Sequence, residues 1–268
     1  MQTENANIIT VAEVSIRFGG LMALSKISFD MRQGSVTAII GPNGAGKTTL
    51  FNCITGFYRP TSGDILYFKD GQRHALNKIP IHMISRRGVA RTYQNIRLFG
   101  QMTALENLLV AQHFFVNHHL LAGIFKTANF RRSEAEALER AWFWLKFMGL
   151  ENAANMEAGN LPYGHQRRLE VARAMATQPR LICLDEPAAG LNDSETRELN
   201  DLILRLKEEH KMSVLLIEHH MGVVMNISDH VVVLNHGEVI SAGTPAQVQK
   251  DPEVIKAYLG DEEPTAQH

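Results

Sequence analysis

The sequence predicts an α/β domain on a mostly parallel core sheet, with an N-terminal antiparallel β layer and a helical lobe set into its middle. Three observations predict it. The short segments SVTAII, RLICLD, SVLLIE and HVVVLN alternate with helical stretches and are apolar almost throughout, as strands buried on both faces must be. IITVAEVSIRF, SKISFDMRQG and SGDILYFKDGQ, all in the N-terminal third, read as strands paired across turn residues. From Thr103 to Leu150 the chain is instead rich in Leu, Ala, Glu and aromatic residues at helical spacing, with Gly149 as the stop.

In chain order this gives one domain. Residues 1–95 and 178–245 form the core with its β layer, 96–177 the helical lobe, and 246–268 a C-terminal helix with the polar, frayed tail GDEEPTAQH. The 268 residues, 45% of them hydrophobic, suffice for one substantial core. A net charge of −1 gives no electrostatic reason to expect nucleic acid. Cys53 and Cys183 sit in separate apolar segments and read as reduced, buried thiols, which suits the cytosol. The start MQTENANIITVAEV lacks a basic region followed by an apolar run, and no stretch approaches eighteen apolar residues, so neither export nor spanning is expected.

The strongest chemical signal is Gly41-Pro42-Asn43-Gly44-Ala45-Gly46-Lys47-Thr48-Thr49, directly after an apolar strand and before the helical run TTLFNCITGF. Here the glycines let the backbone curl so that N–H groups point inward at a phosphate chain, and the helix start adds partial positive charge. Lys47 reaches the terminal phosphates, and Thr48 offers a hydroxyl to Mg²⁺.

A phosphate loop needs a second group for the metal, and LICLDEP supplies one in Asp185 at a strand end, followed by Glu186. Asp185 is expected to hold Mg²⁺, directly or through water. Glu186 is placed to polarise a water attacking the terminal phosphate. Gln94, in RTYQNIRLF, lies between the β-rich third and the helical lobe, where its amide could contact metal-bound water and a moving lobe. His219, in SVLLIEHHMG, follows a buried strand, at the end where open α/β sheets bind ligands.

In this order, GPNGAGKTT, Gln94, LPYGHQRRLEVARA, LICLDEP, AAGLND and IEHH resemble the ATP-binding cassette family, the ATPase subunits of ABC transporters, over essentially the whole chain. The resemblance implies a P-loop NTPase cassette working as a head-to-tail dimer. Each of two ATP molecules would lie between one subunit's phosphate loop and the other's signature segment, here Leu161, Pro162, Tyr163, Gly164, His165 and Gln166. It also implies that Phe18 stacks on adenine, that His219 contacts the γ-phosphate, that Gln94 joins Thr48 and Asp185 at Mg²⁺, and that Leu191, Asn192 and Asp193 cross the dimer interface. Position 220, often acidic in the family, is His220.

A narrower resemblance, carried by IRFGGLMALSKISF, NCITGFYRPTSGDI, RTYQNIRLFGQMTALENLLVAQH, EPAAGLN and VIKAYLGDE, is to the ATP-binding subunits of bacterial importers for branched-chain amino acids. It implies an ATPase on the cytoplasmic face of the inner membrane, with two permease subunits, a periplasmic binding protein and often a second, non-identical ATPase subunit. Cassettes for urea uptake or lipid export carry similar motifs. Non-transport ATPases of the family normally add a second cassette or a basic domain.

The family pattern usually has Ser at position 162, its hydroxyl on the opposite subunit's γ-phosphate. Pro162 offers neither hydroxyl nor N–H, a loss of about 1.5–3 kcal/mol for a bond to a charged partner. The Gly164 N–H and the helix start are expected to remain aimed at the anion, and Pro should push Leu161 toward an extended shape. Beside a different partner carrying Ser, the two sites would be unequal, with hydrolysis mainly at the one containing Glu186. His113, His118 and His119 read as solvated, as do the pairs Arg131–Arg132 and Arg167–Arg168. Trp142, Trp144 and Phe147 read as lobe core, and the resemblance implies a groove for a permease helix at Leu98, Phe99, Met102 and Leu105.

Overall fold

A computed structural model describes residues 7–113 and 128–259 of the chain. In it β1 (Asn7–Phe18) reverses through Gly19, whose φ is +56°, to run antiparallel to β2 (Leu21–Arg32). On its other side β1 pairs antiparallel with β4 (Ser62–Lys69), which pairs with β5 (Gln72–Ala75), giving the order β2-β1-β4-β5. This is the expected antiparallel layer. Its first hairpin begins at Leu21, earlier than SKISFDMRQG suggested, because the exposed Leu21 and Met22 hide the alternation of a half-buried strand.

The larger sheet runs β10-β9-β3-β8-β7-β6. Its centre is β3 (Val36–Ile40), β7 (Leu181–Asp185), β8 (Ser213–Ile217) and β9 (His230–Asn235), the four apolar segments, all mutually parallel. Two edge strands lacked a sequence signal. β6 (Val89–Arg91) is three residues long and parallel to β7, while β10 (Glu238–Gly243) is antiparallel to β9 and only partly buried.

Between β3 and β4 lies α1 (Lys47–Ile54), and between β5 and β6 lies α2 (Ile81–Arg86). The middle of the chain is helical, with α3 (Ala104–Ala111), α4 (Ala128–Phe147) and α5 (Tyr163–Met175). Thr103 starts α3 with a capping box, its hydroxyl accepting from the Glu106 N–H and the Glu106 carboxylate accepting from the Thr103 N–H. Gly149, at φ +67°, follows the end of α4. α6 (Asp193–His210), α7 (Met221–Ile227), α8 (Pro245–Val248) and α9 (Pro252–Leu259) complete the described chain.

The lobe has no core of its own. Leu108, Trp144, Leu145 and Met148 belong to one buried cluster with Val36, Ala38, Ile182, Leu184 and Val214 of the larger sheet, and a second cluster fills the space between the two sheets. Of the aromatic stripe, Trp144 and Phe147 are buried around His210, whereas Trp142 is exposed, since two residues along a helix turn a side chain to the far face. Cys53 and Cys183 are free and buried, as expected. Among the described residues no helix is long and apolar enough to cross a membrane. His118, His119 and the tail GDEEPTAQH lie outside the described residues.

Candidate functional site

β3 ends at Ile40, and the chain then takes a path open only to glycine at two points. A Cβ on Gly41 would lie 2.1 Å from the Leu234 carbonyl oxygen, and one on Gly46 would lie 2.7 Å from Leu24 Cδ2. The loop thus curls tightly against β9 and β2 before entering α1. Pro42, Asn43, Gly44 and Ala45 complete the curl, and Gly44 has open space above it. Lys47 turns back inside, its Nζ donating to the carbonyls of Gly41 at 2.7 Å and Pro42 at 2.8 Å. Burial lowers its pKa, and the charge of Glu186 works against that shift. A partly buried ammonium whose partners are two neutral carbonyls can form stronger, charge-assisted bonds to anionic oxygens.

The loop forms the floor of a cleft of about 610 Å³. Phe18, Leu21 and Met22 wall one side, Thr48 and Thr49 the helix start, and Glu186, His219 and His236 the other. Phe18 is exposed, and its ring meets Tyr58 edge-on at 5.2 Å, so a flat apolar surface stands beside the loop.

Glu186 is placed by strain and by partners. Its φ is +47°, in the left-handed region that non-glycine residues enter at a cost, and its N–H donates to the Ile217 carbonyl of β8 at 2.9 Å. Gln94 Nε2 donates to Glu186 Oε2 at 2.8 Å, and His219 Nε2 lies 2.5 Å from Oε1. Two residues far apart in sequence therefore converge on the carboxylate of a third.

Asp185, the last residue of β7, has a partner the sequence did not announce. Arg91, ending β6, donates through Nη2 to Asp185 Oδ2 at 2.9 Å and through Nη1 to Asn52 Oδ1 of α1 and the hydroxyl of Thr55, which caps that helix. Its guanidinium lies 4.7 Å from the Phe51 ring centre and 4.9 Å from that of Phe57. Burial raises the Asp185 pKa, opposed by Arg91. Glu218, also buried, accepts from the N–H groups of Ala188, His219 and His220, stitching the loop after Glu186 to the one carrying His219. Burial likewise raises its pKa, opposed by those N–H groups. Arg91 and Glu218 both lie inside segments the sequence singled out, RTYQNIRLF and IEHH, but nothing local gave either residue a role.

Oxygen donors for Mg²⁺ are present near the loop. Oδ2 of Asp185 is engaged by Arg91 and Nε2 of Gln94 by Glu186; among the described residues no hydrogen bond goes to Asp185 Oδ1 or Gln94 Oε1, and Thr48 adds a hydroxyl at the cleft. Hard oxygens in this number suit a cation shared with phosphate oxygens and water rather than an all-protein cage, and no group of three or more His, Cys, Asp or Glu among the described residues is arranged to hold a metal.

The signature segment keeps the expected backbone at two points and departs from the reading at its arginine pair. Pro162 is the N-cap of α5 with no side-chain cap, and Leu161 is extended at φ −72°, ψ 148°. Tyr163 is 43% exposed, and Gln166 Nε2 donates back to the Leu161 carbonyl. Gly164 is buried under α6, where a Cβ would lie 2.6 Å from Glu195 Oε1. Its neighbour His165 is half-buried, and burial lowers its pKa. The departure lies at the arginine pair: Arg167, expected on a solvated face, is 0% exposed, and the Arg168 side chain is mostly covered. Arg132, by contrast, is open to solvent and pairs with Glu136.

Asn192 is the N-cap of α6, accepting from the N–H groups of Ser194 and Glu195, while Leu191 packs against the core and Asp193 opens the helix in solvent. Of the groove residues, Leu98 and Leu105 pack inward and Phe99 and Met102 stay exposed. The cavity between core and lobe, about 210 Å³, is lined by others, among them Phe57, Ile81, Tyr93, Ala111 and Arg173.

Comparison with known proteins places this geometry in context. The family model described as ABC transporter matches residues 24–189, and that described as branched-chain amino acid ATP-binding cassette transporter matches residues 238–264. The chain is 55% identical over 254 residues, 95% of its own length and 98% of the relative's, to the high-affinity branched-chain amino acid transport ATP-binding protein BraF of Pseudomonas aeruginosa. An ATP-binding cassette of an ABC transporter solved in its ADP conformation is similar at 32% identity and a TM-score of 0.81, covering 96% of this chain and 100% of that one. A dimeric cassette in a post-hydrolysis state, bound to ADP and phosphate, is similar at 25% identity and a TM-score of 0.72, covering 88% and 98%.

Proposed function

The chain belongs to the ATP-binding cassette family of ABC transporter ATPases, and on that premise we propose that it powers uptake of branched-chain amino acids. It binds and hydrolyses ATP. The observation that carries the proposal is the convergence of Gln94 and His219 on Glu186 beside the Lys47 loop. The cargo rests on the similarity to BraF and on the C-terminal match, which covers a part of the chain outside the nucleotide motifs.

In this reading the N–H groups of residues 43–49 and the ammonium of Lys47 hold the phosphates, Lys47 exchanging two neutral carbonyls for anionic oxygens. Phe18 takes the adenine on its exposed face. Thr48, Gln94 and Asp185 would hold Mg²⁺, which when bound neutralises developing charge on the transferred phosphoryl group. Glu186 orients and deprotonates the attacking water, while His219 meets the γ-phosphate and fixes the carboxylate. Arg91 holds one oxygen of Asp185, and the other oxygen would serve the cation.

The working unit is a head-to-tail pair, in which Leu161 to Gln166 of one subunit close over the other's ATP and Leu191, Asn192 and Asp193 line the seam. The partner is a second ATP-binding subunit, identical or not. Where it carries Ser at the position of Pro162, turnover concentrates at the site containing Glu186. Two permeases and a periplasmic binding protein complete the importer, with this chain on the cytoplasmic face of the inner membrane.

The test is uptake of labelled leucine by source cells lacking the gene, complemented with wild type or Lys47→Ala. Restoration by wild type alone supports the reading. Uptake that does not change on deletion overturns the cargo, and urea uptake or lipid export is then measured in the same strains.

A further inference from the structure

One buried arrangement has no part in the roles above. On one face of α5, Arg167 is fully buried beside Glu170, their charges paired at 3.0 Å. Nη1 of Arg167 donates to the Tyr93 carbonyl and Nη2 to the Gln94 carbonyl, each at 2.8 Å. Oε1 of Glu170 accepts from the Tyr93 N–H at 3.3 Å and, more weakly, from the Arg97 N–H at 3.4 Å. The backbone on both sides of Gln94 is thus gripped by the signature helix.

The same guanidinium reaches the other way. Nη2 donates to the Tyr163 hydroxyl at 3.3 Å, and Tyr163 is the exposed first residue of α5, next to Pro162. At the far end the Gln94 amide meets Glu186. An unbroken line of contacts therefore runs from the face that meets an opposing subunit, through Arg167, to the carboxylate beside the phosphate loop.

We propose that Arg167, braced by Glu170, is a positioning residue that ties the placement of Gln94 against Glu186 to the position of the N-terminus of α5. Engagement of that terminus by an opposing subunit's nucleotide then sets the Gln94–Glu186 contact within this subunit. The inference rests on the head-to-tail reading. Its physical reason is that the Gln94 loop cannot move off α5 without stripping the buried guanidinium of its two 2.8 Å carbonyl bonds where water does not reach, so helix and loop shift together. The planar fork matters as well as the charge, because it serves two carbonyls at fixed spacing, which an ammonium does not.

The test is a double-mutant cycle on the full-length chain, read as steady-state ATPase activity against ATP concentration, with thermal melting as a folding control. Arg167→Lys keeps a charge facing Glu170 and loses the fork. Expected is a kcat about 10- to 100-fold lower with KM for ATP unchanged, the size of effect a misplaced catalytic group produces. In a Gln94→Ala background the same substitution should cost little further, since its effect passes through Gln94. A full multiplicative loss in that background, or an unchanged kcat, overturns the proposal. Should Arg167→Lys fail to fold, the pair Arg167→Met with Glu170→Gln removes both charges and repeats the cycle. Wild-type turnover per subunit that does not rise with chain concentration refutes engagement by an opposing subunit, while the cycle still reports on the Arg167–Gln94 link.

Discussion

Nε2 of His219 lies 2.5 Å from Oε1 of Glu186, although the two residues leave different strands and Glu186 must adopt a left-handed backbone to meet it. Glu186→Gln keeps the size of this side chain and removes its basicity. Loss of a general base lowers turnover by about 100- to 10,000-fold. ATP binding should survive, since Lys47 and the loop are untouched. Steady-state ATPase and equilibrium nucleotide binding on the same preparation check both halves.

Lys47 holds two carbonyls in the present structure and is expected to exchange them for phosphate oxygens. Lys47→Ala removes charge-assisted bonds worth about 1.5–3 kcal/mol, so ATP should bind about 10- to 100-fold more weakly. Titration with a fluorescent ATP analogue reads the change directly. Unchanged affinity would mean that the ammonium is a structural brace only.

Pro162→Ser separates stability from activity. A serine N-cap stabilises α5 by about 1 kcal/mol, and loss of the proline restriction on the unfolded chain costs about 0.4–1 kcal/mol, so the melting temperature should barely move. ATP-dependent self-association of the Glu186→Gln chain, followed by light scattering, should tighten about 10-fold or more if the new hydroxyl reaches an opposing phosphate.

The thiols of Cys53 and Cys183 are each pushed up to about 12 by burial, Arg91 opposing the shift at Cys183 and Asp185 adding to it. At pH 8 about one native thiol in ten thousand is then ionised, and a thiol reagent should label the chain only after denaturation. A folded-state pKa above the unfolded one stabilises fully below the unfolded thiol range, near 8.5, and this contribution is lost as pH rises toward 12. Urea unfolding between pH 8 and 10 should show that decline, with a shallower slope when both cysteines are alanine.

Lys211 ends α6 at φ 52°, ψ 34°, a conformation that suits glycine. Lys211→Gly should stabilise by about 1 kcal/mol, raising the melting temperature by about 2–4 °C without changing ATPase activity. Differential scanning calorimetry decides it; a lower melting temperature would show that the lysine side chain is needed at that terminus.

The central strands and the phosphate loop were readable because each is a local signal. A run such as HVVVLN is a strand on its own terms, and GPNGAGKTT draws its meaning from the turn it must make. β6 and β10 were not readable: three residues carry no period, and a half-exposed edge resembles a loop. The pair Arg167–Arg168 misled for a different reason. Charge predicts solvent exposure only when no partner is known, and the two carbonyls that hold Arg167 against the loop lie at Tyr93 and Gln94, far upstream in sequence.

By itself the sequence determined the α/β alternation, the glycine-rich loop with Lys47 and Thr48, the acidic strand end at Asp185 and Glu186, and the resemblance these carry, because each resides in a few consecutive residues whose backbone and charge act locally. Tertiary structure alone decided that Gln94 and His219 grip the same carboxylate, that Arg91 holds Asp185, that Gly164 lies under Glu195 and that Arg167 is buried against the Gln94 loop. Those relations join residues dozens of positions apart. They exist only once the core has fixed where each strand ends and which face each helix buries, a choice made by the packing of the whole chain.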